Sequence, residues 1–215
     1  MKKIAVVLAG NGVYDGSEIH ETTLTLLTIA RKGAKYQCFA PNVDQAHVVN
    51  HLTGEEMPEK RNVLVEAARI ARGDIKPLSE YKAGDFDAIV FPGGFGAAKN
   101  LCTFAFDGAE CTVNVDVEKA VRETVTAEKP IGALCISPVI IAKILSDVNV
   151  TIGQDETTIE AIEMLGGTHK KTTHGEIVVD EKYKLVTTPC YMLDASIDQI
   201  AEGAEKAVGK ILEMV

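Results

Sequence analysis

The residue in this sequence best placed to do chemistry is a cysteine between a buried apolar run and a helix. It stands in Gly132-Ala-Leu-Cys135-Ile-Ser-Pro138. Ile131–Leu134 reads as a buried strand. Ser137–Leu145 reads as a short helix with Pro138 in its first turn, where a missing N–H costs little. A residue between them sits on a tight strand-to-helix turn at the top of a sheet. That is the logic of the nucleophile elbow, although the Gly-x-Ser-x-Gly spelling is absent. A helix N-terminus adds partial positive charge and free N–H groups, which lower a thiol pKa. The Ile136 N–H can face an oxyanion. The alternative for Cys135 is a small core residue, the usual state of a buried cysteine.

Two further motifs fall at strand ends. Val90-Phe-Pro-Gly-Gly-Phe-Gly-Ala-Ala-Lys-Asn-Leu101 carries glycines at 93, 94 and 96, which let a backbone turn sharply and approach another group. The N–H of Gly94 or Phe95 is a candidate second oxyanion donor, and a plain turn is the alternative. Asp15-Gly-Ser-Glu-Ile-His-Glu21 joins the first strand to the first helix. Glu18 and Glu21 are i,i+3 neighbours there. Their bland explanation is helix capping and complementation of the helix dipole.

The elements that must position these residues follow from apolar patterning. Lys3–Leu8, Lys35–Ala40, Ala88–Phe91, Ile131–Leu134, Asn149–Ile152, Ile177–Val179 and Lys184–Thr188 read as strands, and the last two as a hairpin around Asp180–Tyr183. A short strand is placed at His47–Asn50. Helices are expected over Glu18–Lys32, Asn62–Arg72, Val115–Ala127, Ser137–Leu145 and Ala195–Glu213. The first carries Ile19, Thr23, Leu26, Leu27 and Ala30 on one face. The last carries Ile197, Ile200, Ala204, Val208 and Ile211. Strands apolar on both faces and alternating with helices predict a parallel sheet covered on both sides. The expectation is one doubly wound α/β domain over residues 1–215, with its ligand beyond the carboxyl ends of the strands.

Bulk properties narrow the function classes. The 215 residues are 46% hydrophobic and 25% charged, with a net charge of −9. An acidic surface disfavours nucleic acid and anionic membrane as partners. No apolar run is long enough to span a bilayer. The basic and apolar start is interrupted at Gly10-Asn11-Gly12, too early for a signal peptide. Cysteines stand at 38, 102, 111, 135 and 190 with no Cys-x-x-Cys pair, the pattern of a reducing compartment, taken here as cytoplasmic. The histidines at 47, 51, 169 and 174 lack zinc-site spacing. The glycines after strand one, and Ala40-Pro41 after strand two, do not spell a dinucleotide site. Neither a metal nor a cofactor is expected.

Strand–Pro92-Gly-Gly-x-Gly-Ala, strand–Cys135-x-x-Pro138 and a glutamate on the first helix resemble the DJ-1/PfpI superfamily. The longer strings Gly12–Glu21, Asn50-His-Leu-Thr-Gly-Glu55 and Pro92–Leu101 are similar to its ElbB-type, glyoxalase-like branch, once called enhancing lycopene biosynthesis proteins. The resemblance covers nearly the whole chain. It implies a flavodoxin-like α/β/α sandwich of the class I glutamine amidotransferase-like kind, a reactive elbow cysteine and a homodimer. It also implies a glutamate hydrogen-bonded to the thiol. Counting back from Gly33 as that family does gives Glu21, with Glu18 as the alternative. Two family positions for a histidine hold none here: Ile136, and the stretch Thr151–Asp155. Amide cleavage needs an acid for the departing amine, whereas addition to an aldehyde does not. The expectation is therefore a small aldehyde or dicarbonyl substrate. Cys135 would add to it, Glu21 would shuttle a proton between adjacent carbons, and Gly94 and Ile136 would hold the oxyanion. A redox-sensing or chaperone-like protein, with Cys102, Cys111 or Cys190 resolving an oxidised Cys135, is the non-enzyme alternative. His174-Gly-Glu176 imitates an amidotransferase His-x-Glu pair, but it lies beside the hairpin.

Overall fold

Alternation along the first strand sets up two cores. A computed structural model describes residues 1–215, and in it β1 (Lys3–Val7) turns Ile4, Val6 and the following Leu8 to one side. Ala5, Val7 and Ala9 go to the other. The pleat puts successive side chains on opposite faces, so a strand apolar throughout needs a cover on both. On one side lie α1 (Ile19–Arg31), α2 (Val63–Ile70) and, near the C-terminus, a long helix over Ile197–Glu213.

Along the chain there follow β2 (Lys35–Ala40), β3 (Ile75–Pro77), β4 (Ala88–Phe91), the single turn α3 (Phe104–Asp107), α4 (Val115–Thr126), β5 (Ile131–Leu134) and α5 (Pro138–Leu145). After them come β6 (Asn149–Val150), α6 (Glu156–Met164), β7 (Thr168–His169), β8 (Val178–Asp180), β9 (Leu185–Thr188) and the closing helix α7 (Ile197–Glu213). Side chains from α4, α5 and α6 fill the second core. The main sheet runs β3-β2-β1-β4-β5-β9-β8. All its pairs are parallel except β8 against β9, the hairpin at one edge. This is the doubly wound α/β domain expected from the patterning, in the flavodoxin-like form that the family resemblance implies. No helix is long and apolar enough to cross a membrane.

Strand order reverses between β1 and β4, and such a switch point opens a crevice at the carboxyl ends of the strands. α7 closes tightly over β5, where a side chain on Gly132 would meet Ile211 Cδ1 at 2.6 Å.

Several details differ from the sequence reading. His47–Asn50 is not a strand: it contributes one isolated bridge, Val49 to Glu56. β3, α6 and β7 are additional elements, and β6 pairs only with β7, outside the main sheet. On α1 the buried face is Glu21, Thr22, Thr25, Leu26, Thr28 and Ile29, while Ile19 and Leu27 are exposed. The helix is rotated so that Glu21 points inward to the strand ends. α7 buries the expected stripe apart from the exposed Ile197.

Candidate active site

Four strand ends build the site. After β1 the chain folds into a tight loop, with the Gly12 N–H donating to Ser17 O at 2.9 Å and the Ala9 N–H to Ser17 Oγ at 2.8 Å. Asn100 ties this loop down: its Nδ2 donates to Ala9 O and Asp15 O, each at 2.9 Å. Glu18 caps α1, its Oε2 accepting from the Glu21 N–H at 2.7 Å. One turn on, Glu21 is buried with no exposed surface.

After β4 the Gly93 N–H donates to Glu21 Oε2 at 2.9 Å, and Gly93 O accepts from the Glu18 N–H at 2.9 Å. Only glycine fits here. A Cβ on Gly93 would lie 2.2 Å from Cys135 Cβ, 2.8 Å from its sulfur and 2.7 Å from Glu21 Oε2. Gly94 has φ +98° and packs on Glu18 N at a similar closeness, a backbone state that L side chains rarely adopt.

After β5 comes Cys135 with φ 60°. A non-glycine residue in this region is strained, and the surroundings must hold it there. Its N–H donates to Thr188 O at 2.9 Å, and the next turn is pinned by Ser137 Oγ donating to Pro92 O at 2.8 Å. The fourth strand end follows β9. Cys190 has φ 44°, and the Tyr191 N–H donates to Glu21 Oε1 at 3.2 Å. Tyr191 Oη also pairs with His20 Nδ1 at 2.8 Å. Sequence motifs pointed to the first three strand ends and not to this fourth turn, because no local motif marks Tyr191.

Glu21, not Glu18, is the carboxyl that interacts with the Cys135 thiol. Burial pushes the Glu21 carboxyl up to about 7, and the Glu18 charge adds to the rise. Burial also pushes the Cys135 thiol well above its ordinary range, helped by the Glu21 charge, against the N–H groups of Gly94 and Ile136, which reach the sulfur and pull it down. The helix N-terminus alone therefore does not make a low-pKa thiol here. Both groups resist charge because two adjacent anions are poorly solvated. When Glu21 keeps its proton, its repulsion disappears and the two N–H donors favour the thiolate.

The thiol opens on a cavity of about 380 Å³. Its walls are mainly apolar, with Phe95, Phe104, Ile136 and Met192 prominent, and the ionisable carboxyls on it are Glu18 and Asp155. No histidine, lysine or arginine lines it. His174 is elsewhere, and no three His, Cys, Asp or Glu side chains gather as a metal cage. Among the other thiols, Cys102 and Cys111 contact each other, and that contact pulls Cys111 down to about 7. Cys190 neighbours Cys135. Cys38 sits in the core, where burial pushes it up to about 12.

The profile of the DJ-1/PfpI family matches residues 2–195, so the chain belongs to that family. A human protein, glutamine amidotransferase-like class 1 domain-containing protein 3, mitochondrial, is 47% identical over 99% of this chain and 83% of its own length. The mitochondrial ES1 protein of Danio rerio is 35% identical over 98% of this chain and 85% of its own length. Among solved structures, an isoprenoid biosynthesis protein with amidotransferase-like domain from Ehrlichia chaffeensis superposes with a TM-score of 0.93 at 37% identity, covering 100% of this chain and 99% of that one. Drosophila melanogaster DJ-1beta, at 18% identity and a TM-score of 0.56, shares the fold.

The cytoplasmic expectation is overturned by these relatives. The human, rat and zebrafish proteins are all named as mitochondrial. Free thiols mark a reducing environment, which the mitochondrial interior shares with the cytoplasm, so cysteine usage did not separate the two.

Proposed function

We propose that this protein is a cofactor-free, cysteine-dependent glyoxalase-like enzyme acting on small dicarbonyls such as glyoxal and methylglyoxal. One observation carries the reading: the Cys135 cavity joins a thiol to carboxyl groups and backbone donors, with no histidine. Relatives bear amidotransferase-like in their names, but amide cleavage needs an acid beside the leaving amine. An aldehyde expels nothing on addition.

The Cys135 sulfur adds to the aldehyde carbon, and the carbonyl electron pair moves to oxygen. That oxygen takes up the thiol proton, relayed by Glu21, and a hemithioacetal results. Its carbon-bound proton then moves to the neighbouring carbon, so one carbon is oxidised as the other is reduced. No external oxidant is needed. The product is a 2-hydroxy thioester, with developing oxygen charge facing the Gly94 and Ile136 N–H groups. Water breaks the carbon–sulfur bond, releasing the hydroxy acid and restoring the thiol.

The test is turnover of methylglyoxal to lactate by the purified chain without glutathione or added metal. Conversion lost in Cys135→Ala is expected. Unchanged conversion in that variant, or efficient glutaminase activity, overturns the reading.

A further inference from the structure

Two carboxyl groups belong to the Cys135 site, Glu21 against the thiol and Glu18 on the cavity the thiol opens on, and they differ in access. Glu21 has no exposed surface, and backbone N–H groups hold both its oxygens. Gly93 packs against both Glu21 Oε2 and the Cys135 sulfur. Glu21 is absent from the cavity wall, whereas Glu18 is on it and keeps 7% of its surface open. Glu18 Oε2 holds the α1 cap, while no protein hydrogen bond or ion pair engages Oε1. Glu18 is thus a nine-tenths buried carboxyl with one free oxygen, lining the same cavity as the thiol.

Isomerising a hemithioacetal requires a base that reaches two carbons, and both carbons lie on the cavity side of the sulfur. Glu21 touches the sulfur from behind that wall. It also holds its proton up to about pH 7, which suits an acid and hinders a base. We propose that Glu18 is the catalytic residue that moves the carbon-bound proton, leaving Glu21 to handle the sulfur proton. The inference rests on the glyoxalase-like reading above and moves to Glu18 the proton shuttle expected of Glu21 from the family resemblance.

The electrons balance within the substrate. Glu18 takes the hydrogen from the sulfur-bearing carbon as a proton. The C–H pair forms a carbon–carbon double bond, and the neighbouring carbonyl pair moves to its oxygen. A proton passes from the first oxygen to the second. The oxygen on the sulfur-bearing carbon then re-forms its carbonyl, and the second carbon recovers the proton from Glu18.

Two substitutions test this, each read by methylglyoxal turnover and by protection of Cys135 from iodoacetamide. Glu18→Gln keeps an amide oxygen for the Glu21 N–H but cannot carry the proton. The expected result is a loss of about a hundredfold or more in kcat, with methylglyoxal still protecting Cys135. Glu18→Asp keeps the charge and caps the helix well, but its carboxylate falls short of the carbons. A loss of at least about tenfold in kcat is expected, and this variant decides the matter if the glutamine variant does not fold. Wild-type rates in Glu18→Asp, or turnover within a few-fold of wild type in folded Glu18→Gln, overturn the role of Glu18 while leaving the reaction intact. An inactive wild-type chain overturns the reaction itself and this role with it.

Discussion

Glu21 concentrates the electrostatic cost of the site. Its folded-state pKa is raised from 4.5 to about 7, first by burial and then by the Glu18 charge. Between those values the folded chain holds a proton that the unfolded chain has released. Stability from this group is therefore full below about pH 4.5 and is lost as the pH rises toward 7, on the order of 3 kcal/mol in all. Carboxylates held low, such as Asp155 and Asp180, change stability below their ordinary value of 3.8, outside this window. His169, pulled below 6.5 by burial, acts in the opposite sense within part of it. The comparison with Glu21→Gln isolates the Glu21 contribution. Melting temperature measured from pH 4.5 to 7 should fall more steeply in wild type than in the variant. Parallel curves would mean that Glu21 is already ionised in the folded state.

At the scale of elements, the candidate site groups are held by the ends of strands and the starts of helices. α6 supplies a wall of the cavity through Asp155 and Thr158. Asp155 caps that helix, its Oδ1 accepting from Thr158 N–H at 2.9 Å and from Thr158 Oγ1 at 2.6 Å. Asp155→Ala should cost about 1 kcal/mol of stability, the usual cost of a lost cap. Cys135 alkylation should be unchanged, because the elbow hangs on β5, β9 and Pro92 instead. Denaturant unfolding and timed iodoacetamide labelling read the two effects separately. A variant that loses both would show that α6 supports the elbow itself.

The whole molecule carries a net charge of −9, and the cavity wall presents Glu18 and Asp155 without a cationic side chain. Field and wall both oppose an anion entering a low-dielectric crevice. An α-oxoaldehyde bearing a phosphate should show a kcat/KM at least about tenfold below that of methylglyoxal at low ionic strength. Added salt should narrow the gap by raising the anionic substrate's value, while the neutral one stays put. Equal values at low salt would show that the acidic wall does not select.

Read alone, the sequence already determined the sandwich and the turn that bears Cys135. Apolar runs such as Ala88–Phe91 and Ile131–Leu134 report burial on both faces through local composition, and the residues flanking Cys135 define its elbow locally. The tertiary structure decided everything that depends on distant partners. β3 is three residues long and exists because β2 pairs with it. Tyr191 reaches Glu21 across a separation of 170 residues, with no pattern near it to signal the contact. The face of α1 that is buried is chosen by the strand ends, and it favours Glu21 and threonines over Ile19 and Leu27. Spacing along the chain makes Glu18 and Glu21 near equivalents on one helix. Packing of Gly93 against the sulfur seals one behind the wall and leaves the other facing the cavity, because burial depends on what the rest of the chain places in front of a side chain.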